Sequence, residues 1–294
     1  IQTDQLDIFH GLSHELPRGM KASDPKTVVS IHDMIWQHAP QDFPWIDRQF
    51  YRIKWKHSVL TADLVLCISE ATRQEVLSVY PVNPEKVKVH YQSCDPAFFN
   101  PPSSDRAREF RKQAQLPDFF GICVGSLIPR KNHRLILAAV AEMEPKHRFP
   151  IFLIGRGSEY ANLQKQVDEM GLGQWILFRK EVGFDELPLW YQCADVSLYL
   201  SRYEGFGLPV LESMAMGTPV VAAQASSLPE AGGNAAQYVG PDDARGLAGV
   251  LHRLRQDGAF RREASQKGKV HADFFRPPLV AKRLLELYYG LLAG

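Results

Sequence analysis

What this chain of 294 residues has little of narrows its character first. It has only four cysteines, Cys67, Cys94, Cys123 and Cys193, with no CxxC pair, so neither a disulfide scaffold nor a paired-thiol metal site is expected. Cys67, Cys123 and Cys193 lie in or beside apolar runs and read as buried thiols, which fits a reducing cytoplasm. No stretch approaches the roughly 20 consecutive apolar residues that span a bilayer, and no signal-peptide pattern is read at the start. Excess charge is missing too: 34 Lys and Arg face 33 Asp and Glu, a net charge of +1, so no global field argues for nucleic acid. No repeat with a period of roughly 20–50 residues appears. What remains is ordinary for a soluble globular protein, 45% hydrophobic and 23% charged, with a length that suggests two domains.

The most informative stretch runs from Val196 to Val221. Val196–Leu200 reads as a buried strand, Ser201–Gly207 as a loop with two glycines, Pro209–Met216 as a helix, and Val220–Ala223 as the next strand. Pro209 suits the first helical position, and Gly217 with Pro219 ends the helix. Strand, glycine loop, helix and strand make half of a nucleotide-binding α/β unit. Gly205 and Gly207 allow close backbone approach, and the helix start offers N–H groups and a positive dipole end to a phosphate. Glu204 and Glu212 are separated by seven residues. The first carboxylate can face a sugar at the helix mouth, and the second a ribose.

A second strand-to-helix junction lies upstream. Phe119–Val124 reads as a strand, then Gly125-Ser126-Leu127-Ile128-Pro129-Arg130-Lys131-Asn132, then a helix over His133–Met143. A glycine turn with adjacent Arg130 and Lys131 suits a diphosphate, because Arg supplies a planar fork and Lys a point charge. Those charges can stabilise a negative leaving group without a metal ion. Nearer the start, the strand Leu6–His10 runs into His10-Gly11-Leu12-Ser13, and the strand Thr27–Ile31 into His32-Asp33. A histidine at the carboxyl end of a parallel strand suits hydrogen bonding to a sugar hydroxyl or proton handling near neutral pH. Ala62–Ile68 is a further strand, and Ser69 is placed to cap the helix after it. Phe43–Val59 is helix-like, aromatic and basic. It fits a membrane surface, and it equally fits a core helix with a solvated basic side.

The segment from Glu204 to Glu212 resembles the Glu-x7-Glu signature of retaining GT-B glycosyltransferases, in the large family of bacterial sugar transferases called glycosyltransferase family 4 or glycosyl transferases group 1. The resemblance covers nearly the whole chain. It implies two Rossmann-like, doubly wound α/β domains facing a cleft: residues 1–99 on the acceptor side, 100–276 binding a nucleotide sugar, and a helix over 277–294, after a Pro277-Pro278 break, crossing back to the first domain. It implies transfer of a hexose from a UDP- or GDP-sugar to a glycan or lipid-linked hydroxyl in cell-surface polysaccharide synthesis, with no metal and no cofactor. Glu204, His32, Arg130 and Lys131 are the catalytic expectations. The donor would be held by Gly125, Ser126, Arg130, Lys131, Val182, Glu204, Gly205, Phe206, Gly207, Leu208 and Glu212, and the acceptor would face His10, Gly11 and Ser13. The location implied is cytoplasmic, with peripheral contact at the inner membrane face.

The chain departs from the family in three places. Ser126 stands where many members have Arg; Gln92-Ser93-Cys94-Asp95 replaces Asn-Gly-Val-Asp; and roughly the first third of the N-terminal domain is expected to be missing. Two other readings stay open: a phosphorylase-like or epimerase-like enzyme on the same fold, and a nucleotide-sugar-binding or partner-binding subunit without catalysis.

Overall fold

The computed structural model describes residues 6–19 and 25–293, Asp42 in its backbone only. The chain divides into two compact units. The first holds residues up to Gln92, Tyr203–Phe206, and the chain from Pro277 onward; the second holds Ser93–Arg202 and Gly207–Arg276.

The first unit is built on four parallel strands in sequential order: β1 (Ile8–Gly11), β2 (Lys26–Ile31), β3 (Leu64–Cys67) and β4 (Val87–Val89). Its sheet is covered on both faces, which is why the strands read as continuous apolar runs and not as an alternation. Val29, Ile31, Val65 and Cys67 point to one side, where they meet Trp55 and Val59 of α2 (Trp45–Thr61) and Val76 of α3 (Glu70–Val79). A single turn, α1 (Ile35–His38), follows β2. Ser69 caps α3, its side chain accepting the Thr72 N–H, as the sequence suggested.

The second unit opens with α4 (Ser104–Gln113), capped by Ser103, and holds a six-stranded parallel sheet. Its strands are β5 (Gly121–Val124), β6 (Ile151–Ile154), β7 (Ile176–Arg179), β8 (Val196–Tyr199), β9 (Val220–Ala223) and β10 (Gln237–Val239), ordered β10-β9-β8-β5-β6-β7. The helices α5 (His133–Glu142), α6 (Tyr160–Glu169), α7 (Leu187–Cys193), α8 (Leu208–Ala215), α9 (Leu228–Gly232), α10 (Ala244–Gln256) and α11 (Gly258–Asp273) connect and cover it. Such a doubly wound sheet reverses its strand order once, here between β5 and β8, and its crevice lies at the carboxyl ends of those two strands.

The last helix, α12 (Pro277–Ala293), belongs to the first unit. Leu284, Leu287, Tyr288 and Leu291 cover Val28, Leu64 and Leu66, the face of the first sheet opposite α2. Pro277 and Pro278 were expected to break the chain, but they open α12, because a first helical turn needs no N–H from proline and its fixed φ suits the helix. All four cysteines are free and buried, Cys94 included. Burial pushes the thiols of Cys67, Cys94 and Cys123 up to about 12.

Phe152 is 2% exposed and packs its ring against Phe120 and Trp190. Phe152→Ala is expected to destabilise the second unit by about 3–5 kcal/mol, read from the urea midpoint by tryptophan fluorescence. A loss below about 1 kcal/mol would show that the site collapses around the cavity.

Candidate active site

Two loops leave the reversal point of the second sheet side by side. One follows β5 and carries Gly125, Ser126, Arg130 and Lys131 before α5; the other follows β8 and begins Leu200-Ser201-Arg202. They are knitted together. The Arg202 N–H donates to the Arg130 carbonyl at 2.9 Å. The Lys131 ammonium donates to the Tyr199 hydroxyl at 2.5 Å and lies 4.7 Å from that ring's centre. Asn132 takes a left-handed φ of 58° and donates from its amide to the Pro241 carbonyl at 2.8 Å, fixing the start of α5. Arg202 forms a two-pronged ion pair with Asp242. Ser201 is 1% exposed and its hydroxyl has no partner, so a buried polar group at the carboxyl end of β8 awaits one. Arg130 and Lys131 are half-buried, and Ser126 is exposed.

The helix α8 starts at Leu208 behind Gly207, whose φ of 121° is in the glycine-favoring region. Pro209 falls at its second position, one later than expected. The first-turn N–H groups of such a helix have no intrahelical acceptor and concentrate positive potential. Glu212 lies one turn further on. Its Oε2 accepts the Tyr191 hydroxyl of α7 at 2.9 Å. Burial raises the Glu212 pKa above the usual carboxylate range, the Tyr191 bond opposes that rise, and Asp95 adds to it. The Tyr191 hydroxyl is raised far above its ordinary value, chiefly by burial and then by Glu212.

Glu204 sits in the tetrapeptide Tyr203–Phe206, which is counted with the first unit although residues on either side belong to the second. Within the first unit this segment is held at several points. Tyr203 donates to Glu75 Oε2 at 2.5 Å and accepts the Met34 N–H at 3.1 Å. Thr72 donates to the Gly205 carbonyl at 3.3 Å, and Phe206 stacks on Tyr91. A Cβ on Gly205 would come 1.9 Å from the His32 carbonyl oxygen, so only glycine fits there. Glu204 is buried, 9% exposed, and the structure brings its loop against the His32-Asp33 step.

His32 is fixed from both ring nitrogens. Nε2 donates to the Leu12 carbonyl at 2.7 Å, because a carbonyl can only accept, and Nδ1 takes the Gln92 amide at 3.1 Å. His14 carries no sequence signal, yet it is the support of this step. Its Nε2 accepts the His32 N–H at 3.0 Å, its ring stacks on Trp55 at 4.0 Å, and burial holds its pKa down to about 3. His10 lies inside β1, with Nδ1 on the Tyr288 hydroxyl at 2.5 Å and Nε2 on Ser30 at 2.9 Å; burial lowers it to about 4. Gly11 is buried and Ser13 is exposed. Val182 is half-buried in the loop after β7. Sequence reasoning missed His14, Tyr191, Tyr199 and Thr72, each a support drawn from a distant part of the chain.

The profile described as "Glycosyl transferases group 1" matches residues 105–271, and that described as "Glycosyltransferase Family 4" matches residues 1–98. The chain belongs to the group 1 glycosyl transferases. Among relatives of this family, the O-antigen chain mannosyltransferase B of Escherichia coli is 30% identical over 272 residues, covering 91% of this chain and 70% of that protein. The O-antigen chain mannosyltransferase RfbU of Salmonella typhimurium is 28% identical over 228 residues, covering 78% of this chain and 60% of that protein. The chain thus spans well under the full length of both. HepE of Anabaena, solved in complex with UDP, superposes with a TM-score of 0.79 at 20% identity, over 90% of this chain and 72% of that one. WaaG, a glycosyltransferase involved in lipopolysaccharide biosynthesis, gives a TM-score of 0.76 at 15% identity, over 95% and 76%. The fold is therefore GT-B, two parallel-sheet Rossmann-like domains.

Glu212→Gln keeps an acceptor for Tyr191 and removes the charge. Because the folded carboxyl titrates above its unfolded value, the ionised form weakens the fold at neutral pH. The variant is expected to raise the urea midpoint at pH 7, with the gain shrinking as pH falls through the folded pKa and vanishing below the ordinary carboxylate range. No gain at pH 7 would refute a buried charge at this position.

Proposed function

We propose that the chain transfers a hexosyl group from a nucleotide diphosphate sugar to an acceptor hydroxyl, with retention of anomeric configuration, in the assembly of a cell-surface glycan. The observation that carries this reading is the pair of loops at the reversal of the second sheet, where Lys131 is held by Tyr199 and the Arg130 backbone by Arg202. The names of the two O-antigen mannosyltransferases favour mannose as the sugar and an O-antigen-like glycan as the acceptor. The HepE complexes with UDP and UDP-glucose favour a nucleotide sugar as donor.

In this reading Arg130, Lys131 and the first-turn amides of α8 take the diphosphate. The bond from the anomeric carbon to the phosphate oxygen breaks and its electron pair leaves with the diphosphate, whose growing charge these donors stabilise. The acceptor oxygen bonds to the same carbon, and its proton passes to a phosphate oxygen of the leaving group. Glu204 positions the sugar hydroxyls and stabilises the cationic ring of the transition state. His32, its ring held by Leu12 and Gln92, presents its edge to the sugar. Glu212, aligned by Tyr191, holds the ribose hydroxyls. Gly125 and Ser126 line the diphosphate, and Val182 lines the base. Arg and Lys meet the charge of the leaving group in place of a metal ion, so transfer is expected to survive chelation.

Arg130→Ala with Lys131→Ala is expected to lower kcat by at least about 10²–10³-fold, measured as sugar transfer from labelled nucleotide sugars. Retained turnover would remove the diphosphate assignment. Glu212→Ala is expected to weaken nucleotide binding in calorimetry, and unchanged affinity would end the ribose role. Tight nucleotide binding without transfer to any glycan or lipid-linked acceptor would select the non-catalytic subunit instead.

A further inference from the structure

Glu204 lies outside any helix or strand, between two residues that α3 grips from one face. Thr72 and Glu75 are three positions apart on that helix, so their side chains are neighbours on its surface. The Thr72 hydroxyl donates to the Gly205 carbonyl at 3.3 Å and is itself set by Ser69, whose hydroxyl donates to it at 2.9 Å. Glu75 Oε2 accepts the Tyr203 hydroxyl at 2.5 Å. The residue before Glu204 and the residue after it are therefore both tied to α3.

Glu75 has a second partner. His38, the last residue of α1, brings Nε2 to within 3.1 Å of Glu75 Oε1 and lays its ring on that of Tyr203, 4.4 Å between centres and 17° from parallel. Each of the three side chains thus touches the other two. Tyr203 is 7% exposed, and its hydroxyl is raised above its ordinary value by burial and then by Glu75, so the phenol keeps its proton and donates. Burial raises the Glu75 pKa, and the bonds from Tyr203 and His38 oppose that rise. Where packing alone is needed, phenylalanine serves; burying a hydroxyl beside a carboxylate is unfavourable unless both are paired. The paired groups come from three separate segments, and they lie outside the apolar core around Val29 and Val76. What they meet instead is the peptide that carries Glu204.

We propose that Glu75 and Thr72 are positioning residues for Glu204, with His38 orienting the Glu75 carboxylate. The inference rests on the reading of Glu204 as the group that meets the sugar. Glu75→Ala is expected to lower kcat for sugar transfer by about 10–100-fold. The donor KM, and the calorimetric affinity for UDP or GDP alone, are expected to change less than about two-fold, as for an interaction realised in the transition state. Glu75→Gln keeps an acceptor for Tyr203 and is expected to restore most of the lost kcat. Tyr203→Phe keeps the ring on His38 and loses the hydroxyl; it is expected to follow Glu75→Ala, and it carries the test should the alanine variant fail to fold. Tryptic cleavage after Arg202, whose side chain is 48% exposed, reads the anchor without any sugar. The bond from Arg202 to Tyr203 is expected to resist trypsin in the wild type and in Glu75→Gln, and to be cut in Glu75→Ala and Tyr203→Phe. Unchanged cleavage would overturn the anchor whether or not sugar is transferred. Altered cleavage with an unchanged kcat would overturn the positioning role, and so would a loss of nucleotide affinity as large as the loss of kcat. A wild-type chain that transfers no sugar, yet shows the expected cleavage pattern, would remove the reading of Glu204 and leave the anchor standing.

Discussion

The pairing of β5 with β8, Gly121 beside Val196 and Ile122 beside Ser197, is the constraint on which the rest depends. Where the strand order of a parallel sheet reverses, the two crossovers go on to opposite faces of the sheet, and a crevice opens at the carboxyl ends of the strands where they part. The phosphate-binding groups expected of the second unit issue from that place or from the helix that follows it. Arg130 and Lys131 come from the β5 side, Ser201 and Arg202 from the β8 side, and α8 continues the latter. Had the two strands been separated by another, the Arg202 amide could not reach the Arg130 carbonyl.

Tyrosine is the recurring means of holding charge here. Tyr199 fixes Lys131, Tyr191 fixes Glu212 and Tyr203 fixes Glu75. Each phenol brings a large apolar body that packs in the core and a single polar tip that reaches a charged group. A carboxylate or ammonium is thereby oriented by a rigid ring and not by another long, flexible side chain, and little side-chain freedom remains to be lost when a ligand arrives.

Much of this was legible in the residues. Apolar runs located the strands, glycine and proline marked the loops, and Pro209 and Gly217 bounded the helix that carries Glu212. Strand boundaries were less clear: β5 begins at Gly121 and not at Phe119, because Phe119 is already part of the packed core but outside the ladder. The supports were not legible. His14 props up His32 from eighteen positions earlier and Tyr191 reaches Glu212 from another helix, and neither distance is written in local pattern. The membership of Tyr203–Phe206 in the first unit was hidden for the same reason, since it follows from contacts with Met34, Thr72 and Glu75 and not from neighbours in the chain. In α2 the amphipathic period was visible, but period alone does not say which side faces the core; Trp55 and Val59 went inward, and Ile46, Phe50 and Ile53 stayed outside.

The buried cysteines have a practical corollary. A thiol is a nucleophile only as its anion, and Cys67, Cys94 and Cys123 are held protonated by their surroundings, with Cys193 shifted the same way. The native fold therefore presents a background nearly silent to maleimide chemistry. One cysteine placed on an exposed turn would take a fluorophore or spin label selectively, without first stripping the natural four from the sequence.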